Sequence, residues 1–305
     1  MDPKQLISYI KEIGRGKNAA RDLSHEDART LFTAILNNEI PPLQLGAILI
    51  AMRIKGESLD ELAGFLEACE ASYPHLKAPA GAMPLVIPAY NGARQLPNLT
   101  PLLASLVARE GVPVLVHGVP DDPGRVTTIE VFQAMGITPA RSIVEAEEQL
   151  ATRKLAVITI DTLAPAIART LKLRRDIGLR RSAHTLVKMI QPFTTTAVRL
   201  VSVTHPEYLD RMRAFFTQYS SDALLLRGAE GEAVAHPRRE PVIEWLDGTT
   251  SETWRAPPEE NPELPDSRDA TITAEWIRQA LTGKQSIPEA IEHQARCCLK
   301  ATAKS

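Results

Sequence analysis

The segment Pro84–Gly136, PLVIPAYNGARQLPNLTPLLASLVAREGVPVLVHGVPDDPGRVTTIEVFQAMG, decides the fold. It contains two short apolar runs, Pro84–Pro88 and Val112–His117, with a helical stretch from about Thr100 to Glu110 between them. Short apolar runs bounded by turn residues read as buried strands, and two of them joined through a helix form a βαβ unit. Ligands collect in the loops at the carboxyl ends of such strands. These loops are unusual in charge, because no Asp or Glu occurs from Ala71 to Arg109. A phosphate site served by magnesium would want a carboxylate there.

Upstream, Leu6, Ile7, Ile10 and Ile13 are spaced for one face of a helix. Ser24 before HEDARTLFTAILNN and Ser58 before LDELAGFLEACEASY read as N-caps, with Glu26, Asp27, Asp60 and Glu61 in the positive first turns. Between them Leu43–Lys55 is apolar on most sides, which places it at the centre of a bundle. Residues 1–73 are thus expected to form an all-helical domain, with Pro74–Pro84 as a linker. Downstream, a helix at Val144–Ala151 and a strand at Leu155–Ile160 precede a helix from about Pro165. A strand at Leu200–Thr204, the helix HPEYLDRMRAFFTQY and a strand at Ala223–Leu226 continue the alternation of a mostly parallel sheet. Val242–Leu246 is expected to close an edge antiparallel, and Thr249–Asp269, rich in Pro and Glu, to be an exposed loop. Helices at Thr273–Leu281 and Pro288–Ala301 finish the chain. The fold class is α/β: a small amino-terminal all-helical domain and a larger α/β domain with a mostly parallel central sheet and flanking helices.

At 305 residues, 44% hydrophobic and 24% charged, the chain has the composition of a soluble protein with an ample core. Its first residues have no apolar signal region, and no run approaches the ~18 apolar residues of a membrane span. A cytoplasmic protein with no membrane partner is expected. Cys69, Cys297 and Cys298 form no CxxC pair and read as thiols that pack helices. The net charge of −2 conceals an asymmetry. From Lys172 to Pro206 there are seven basic residues (Lys172, Arg174, Arg175, Arg180, Arg181, Lys188, Arg199) and one acidic, whereas Gly228–Glu275 has twelve acidic and four basic. Were Arg169–Lys188 one helix, Arg174, Arg181 and Lys188 would recur every seven residues as a cationic stripe able to neutralise phosphates. Gly178 would break that helix, and a solvated face salt-bridged to the acidic half is the alternative.

The loop after the second strand sets His117 and Gly118 near Arg125, Thr127 and Thr128 at a helix start, a combination suited to oxyanions. Asp121 and Asp122 beside prolines read as turn residues. The remaining histidines (His25, His75, His184, His205, His236, His293) have no metal spacing, and GxSxG, Walker and GxGxxG loops are absent. Hydrolase, kinase and dehydrogenase chemistry has little support.

The helical region DLSHEDARTLFTAILNNEIPPLQLGAILIAMRIKGESLDELAGF resembles the amino-terminal domain of anthranilate phosphoribosyltransferases, with their LSxEEA start and MRxKGET-like turn. Val116–Gly136 is similar to that family's KHGNR segment and the stretch after it, and Gly178-Leu179-Arg180 to its LGxR segment. The departures lie where the family does its chemistry. Ile87-Pro88-Ala89-Tyr90-Asn91-Gly92 replaces the GTGGD loop that holds diphosphate, so the amide cradle and its acidic residue are expected to be gone. Val116, Val119 and Pro120 replace Lys, Asn and Arg of KHGNR, and at most one carboxylate of the magnesium pair remains near Gly231-Glu232-Ala233. The pattern PAYNGAR…NLTPLLA…VHGVPDDPGRVTT…RRSAHTLVK resembles the YbiB-type, or second TrpD-like, paralogues. That resemblance implies a homodimer joined through the helical domains that binds nucleic acid with little sequence preference.

The expected organisation is a helical domain of residues 1–73, completed by helices from 165–190, and an α/β domain of 80–164 and 191–305. The leading expectation is non-catalytic nucleic-acid binding through Lys172, Arg174, Arg175, Arg180, Arg181, Lys188 and Arg199, with Arg94 and Arg125 as further contacts. Tyr90, Asn91, Gly92, His117, Gly118, Arg125, Thr127 and Thr128 are expected to line a vestigial phosphate or ligand cleft. No catalytic residue, metal or cofactor is assigned. The alternative is a glycosyl- or phosphoribosyltransferase on an unidentified acceptor, using magnesium, with His117 and Arg174 on the acceptor. A protein-interaction scaffold built on the acidic carboxyl-terminal half is a third reading.

Overall fold

The computed structural model describes residues 1–16, 18–204, 206–219, 221–248 and 250–303. His205 and Thr249, which the sequence reading places at a helix start and in a loop, lie outside the described residues. The chain begins with α1 (Pro3–Ile13), α2 (His25–Leu36), α3 (Pro42–Lys55) and α4 (Leu59–Glu70). Then come β1 (Leu85–Ala89), α5 (Thr100–Arg109), β2 (Val114–Gly118), α6 (Thr128–Ala134), α7 (Ile143–Arg153) and β3 (Leu155–Thr159). Short helices α8 (Ile160–Leu163), α9 (Pro165–Lys172), α10 (Arg174–Ile177) and α11 (Ser182–Leu186) lead to β4 (Val198–Val203). The remainder is α12 (Pro206–Gln218), β5 (Asp222–Arg227), β6 (Val242–Asp247), β7 (Ser251–Arg255), α13 (Ala270–Leu281) and α14 (Glu289–Thr302).

Two compact units result, one of Met1–Pro74 with Ala164–Ile190 and one of His75–Leu163 with Gln191–Ser305. In the helical unit, α2 packs on α4 with the Phe32 and Phe65 rings stacked at 4.7 Å. Both serine caps form: Ser24 accepts from the Asp27 amide, and Ser58 makes a reciprocal capping box with Glu61. Glu61 does more than cap. It is fully buried, its Oε1 accepts from the Leu23 amide at 2.9 Å, and its Oε2 from the Ser58 amide at 2.7 Å and from Lys55 Nζ at 2.6 Å. One carboxylate thus ties the loop before α2, the end of α3 and the start of α4 together. The expectation that α3 is central is overturned, because it buries only Ile48, Leu49 and Met52 while Leu43 is 88% and Ile54 64% exposed. Its apolar residues exceed what its neighbours cover.

In the α/β unit the sheet order is β3-β2-β1-β4-β5-β6-β7, parallel from β3 to β5 and antiparallel at β6 and β7. Leu85, Ile87, Val114, Val116, Leu200 and Leu224 share a core with α5, α6, α13 and α14, while alternate residues such as Val86, Leu115 and Val201 are buried as well. Both faces of the parallel strands are therefore covered, which is why these strands read as unbroken apolar runs. The run Thr249–Asp269 is not wholly a loop. It supplies β7, whose alternating exposure and charged Glu252 and Arg255 suit an edge strand. All three cysteines are buried free thiols. Among the described residues no helix is long and apolar enough to cross a membrane.

Glu61→Ala is expected to lower the unfolding free energy by about 2–4 kcal/mol, since it leaves the Leu23 and Ser58 amides without their acceptor, while the Lys55 ammonium keeps Asp22 at 2.6 Å and the Gly56 carbonyl at 2.8 Å. Arg141→Ala, removing an ion pair whose arginine side chain is 87% exposed, is expected to change it by less than ~0.5 kcal/mol. Urea unfolding of the two variants measures both.

Candidate functional site

The strand order reverses between β1 and β4: the chain runs outward from β1 through β2 to β3, then returns to pair β4 on the other side of β1. Such a reversal opens a crevice at the carboxyl ends of the strands. The loop after β1 reaches this crevice with consecutive amides of Asn91 and Gly92, and Gly92 takes a φ of 65°. Opposite lies the segment after β5, Gly228–Ala235. The Glu232 carboxylate, 2% exposed, enters the turn from that segment. Its Oε1 accepts from the Asn91 amide at 2.6 Å and the Gly92 amide at 2.7 Å, and its Oε2 from the Thr128 hydroxyl at 2.7 Å. Two residues earlier Glu230 receives the next amides, those of Arg94, Gln95 and Leu96, at 2.8–3.2 Å.

The cradle of amides is therefore present, which corrects the expectation that it is gone. What differs is its occupant. Each charge-assisted bond contributes about 1.5–3 kcal/mol, so the set holds the Gly228–Ala235 segment firmly. Gln294 on α14 and Ser202 on β4 brace it from behind, through the Ala235 amide, the Ala233 carbonyl and the Gly231 carbonyl. Gly231, at φ 87°, has no room for a Cβ because the Asn91 side chain fills that space. Glu230 sits in the left-handed region at φ 52°, a conformation its three amide partners hold in place.

The other cleft residues are used internally too. His117 is fully buried, with Nδ1 2.6 Å from the Tyr90 hydroxyl and Nε2 without a hydrogen-bond partner among the described residues. Burial pushes its pKa down to about 3, so it is a neutral imidazole rather than a cation for an oxyanion. Burial, with a smaller contribution from Asp161, raises the Tyr90 phenol well above its usual range. Thr127 caps α6 in a box with Glu130, and Thr128 also accepts from Asn98. Arg125 donates to the Gly92 carbonyl at 3.2 Å and lies 3.7 Å from Asp122. Gly118 ends β2, paired with Ala89. Among the described residues no three potential ligands gather for a metal. Diphosphate with magnesium does not fit these residues, because the donors already serve Glu232 and the oxygens of Glu232 already serve the donors.

The basic segment does not form one stripe. Gly178, at φ 77°, ends α10, and the chain resumes a helix only at Ser182. Lys172 and Arg175 are exposed, and Arg174, Arg180 and Lys188 are half-buried. Arg181, expected as a phosphate contact, is instead buried at 4% exposure and donates to the Thr170 carbonyl at 2.9 Å. Arg199 is likewise internal, 6% exposed, with its guanidinium 5.0 Å over the Phe216 ring and bonded to the Asp222 carbonyl. Burial, reinforced by Arg180, Arg181 and Arg174, depresses the His184 pKa to about 3. In the α/β unit Arg94 is exposed.

His117 carries a pH signature. It takes up no proton in the native state until about pH 3, whereas the unfolded chain does so near pH 6.5. In that window the unfolded state binds more protons, so stability rises with pH and is lost on acidification. Between pH 7 and pH 5 the His117 contribution is about 2 kcal/mol. Urea unfolding at both pH values is expected to show a smaller loss in His117→Gln than in the wild type; an equal loss would contradict the neutral, buried assignment.

Residues 7–72 match the helical bundle domain of the glycosyl transferase family. The chain is 45% identical over 309 aligned residues to the uncharacterized protein YbiB of Escherichia coli (strain K12), covering 99% of this chain and 95% of that one. It is 27% identical to an anthranilate phosphoribosyltransferase of Desulfitobacterium hafniense (strain Y51), over 69% of this chain and 62% of that enzyme. The crystal structure of anthranilate phosphoribosyltransferase (TrpD) from Thermus thermophilus superposes with a TM-score of 0.80 at 19% identity, covering 99% of this chain and 90% of the other. The chain belongs to the TrpD-like, anthranilate phosphoribosyltransferase-related family, in the branch that includes YbiB.

Proposed function

We propose that the protein binds nucleic acid without catalysis, as a homodimer, through phosphate contacts that do not read sequence. The observation that carries this reading is the concentration of cations in Lys172–Lys188, a segment whose positive field helps hold His184 neutral. Exposed Lys172 and Arg175 are its foremost phosphate contacts, with half-buried Arg174, Arg180 and Lys188 behind them. Arg94 is a further exposed contact on the α/β unit, and Arg125 a weaker one because Asp122 and Gly92 engage it. Arg181 and Arg199 take no part. Aromatic residues are only 5% of the chain and none lies in the basic segment before Phe193, which favours backbone contact over base stacking. A cytoplasmic location belongs to the same reading.

The transferase reading keeps the support of the fold and family but not of the residues, since Glu232 takes the donors that a diphosphate would need. No cofactor enters the proposed function.

The apolar face of α3 supports the dimer. Ile10, Ile13, Leu43, Ala47, Ile50 and Ile54 line an open groove of about 700 Å³ on the helical unit, with few polar atoms. Leu43 and Ile54 are too exposed to suit a solvated helix face, and a second copy of the same face is the occupant that would cover them. In the dimer each basic segment is doubled, which raises affinity for a polyanion long enough to reach both.

Fluorescence anisotropy with a labelled oligonucleotide of arbitrary sequence tests the binding. The affinity is expected to fall steeply with salt, and Lys172→Glu with Arg175→Glu to weaken it alike for unrelated sequences. The slope of log K against log salt should lose about one unit per lost phosphate contact. Salt-independent binding, or no binding, would refute the proposal. Leu43→Asp with Ile54→Asp is expected to halve the mass measured by light scattering while the helical circular dichroism is kept.

A further inference from the structure

We propose that the crevice at the end of β1 is a complete anion-binding site whose anion is supplied by the chain itself. The site takes a small external carboxylate only when the Glu232 side chain is removed, and a pyrophosphate only when that of Glu230 is removed with it. The donor set is what an oxyanion requires: two successive amides, Asn91 and Gly92, and the Thr128 hydroxyl converge on one buried carboxylate. Beside it a second set, the amides of Arg94, Gln95 and Leu96, converges on Glu230. Runs of amides of this kind form concave nests for anions. Adjacent nests match the separated charges of a diphosphate better than they match a single phosphate.

Glu230 and Glu232 reach these nests from 134 to 141 residues away in sequence, on a segment held by Gln294 and Ser202. A carboxylate carried on a fixed segment has a high effective concentration at its own site, so a free anion at millimolar levels competes poorly with it. Like charge adds repulsion to any anion that approaches while Glu230 and Glu232 are in place. The left-handed Glu230 and the close-packed Gly231 show that the segment is shaped to deliver both carboxylates, rather than resting there by default. The site is therefore closed in the native chain and latent in its donors. This inference does not depend on nucleic-acid binding: the one residue both readings use in common, Arg94, enters here through its backbone amide and there through its side chain.

Chemical rescue tests it. Glu232→Ala leaves a cavity of carboxylate size lined by the unpaired donors. Formate at about 0.1 M is expected to raise the melting temperature of this variant by several degrees above chloride at the same ionic strength, and to leave the wild type unmoved. Inorganic pyrophosphate at about 10 mM is expected to stabilise Glu230→Ala with Glu232→Ala but not the wild type. Should Glu232→Ala fail to fold in chloride, refolding in formate is the readout. Recovery of native circular dichroism in formate alone supports the proposal, and failure in both salts overturns it. Equal response of variant and wild type to either anion, or pyrophosphate binding to the wild type, also overturns it.

Discussion

Backbone amides at the carboxyl end of a buried parallel strand need an acceptor, and the loop after β1 supplies no carboxylate of its own, because no acidic side chain occurs between Ala71 and Arg109. Water or a bound anion would meet that need in an open crevice. Here Glu232 meets it from inside. The consequence spreads through the α/β unit. To place the carboxylate, the segment after β5 turns back through a left-handed Glu230 and through Gly231, where a Cβ would meet the Asn91 side chain and strain the backbone. To hold that segment, α14 contributes a fully buried glutamine and β4 a buried serine. A buried carboxylate without partners would cost several kcal/mol, so the amides need Glu232 as much as Glu232 needs them. The loop after β1, the segment after β5 and the start of α6 are thus fixed by one group.

Much of the fold was legible because its signals are local. Ser24 and Ser58 announce the helices they cap, and the apolar runs at β1, β2, β3, β4 and β5 announce strands buried on both faces. The failures share a cause, which is that the deciding partner lies far away in sequence. Leu43–Lys55 reads as central because its composition is apolar all round, but composition cannot say whether the second face is covered by the same chain. Ser251–Arg255 is hidden in a polar run because an edge strand needs only one packed side, here the Trp254 ring stacked near Trp245. Arg181 and Arg199 look like surface cations in a basic run, and only the fold reveals the carbonyl groups and the ring that take them inside.

Glu232 is the most instructive of these cases. Comparison of motifs treats it as the survivor of a metal-binding pair, and treats the Tyr-Asn-Gly turn as a cradle destroyed. Each reading considers one side of the contact. A sequence signal existed in the absence of acid from the β1 loop together with two glycine-flanked acids at Gly228-Ala229-Glu230-Gly231-Glu232, but only the strand order brings the two stretches to one crevice.

Phosphate can be met in two physically distinct ways, and the residues suited to each lie in different units of this protein. A cradle acts through short, directed hydrogen bonds in a low dielectric, and works only if its donors are unoccupied. A basic surface acts through Coulomb attraction that salt screens over about 10 Å, and needs charge density rather than geometry. The chain fills its cradle with carboxylate and carries its excess cations in another unit, between Lys172 and Lys188. A small phosphate gains little from such a surface, because each exposed contact is worth about 1 kcal/mol or less. A polyanion adds many contacts at once and releases counterions at each. On the proposed reading, closing the cradle leaves the basic segment of the helical unit to meet anions, and there a long anion gains over a short one by the number of contacts alone.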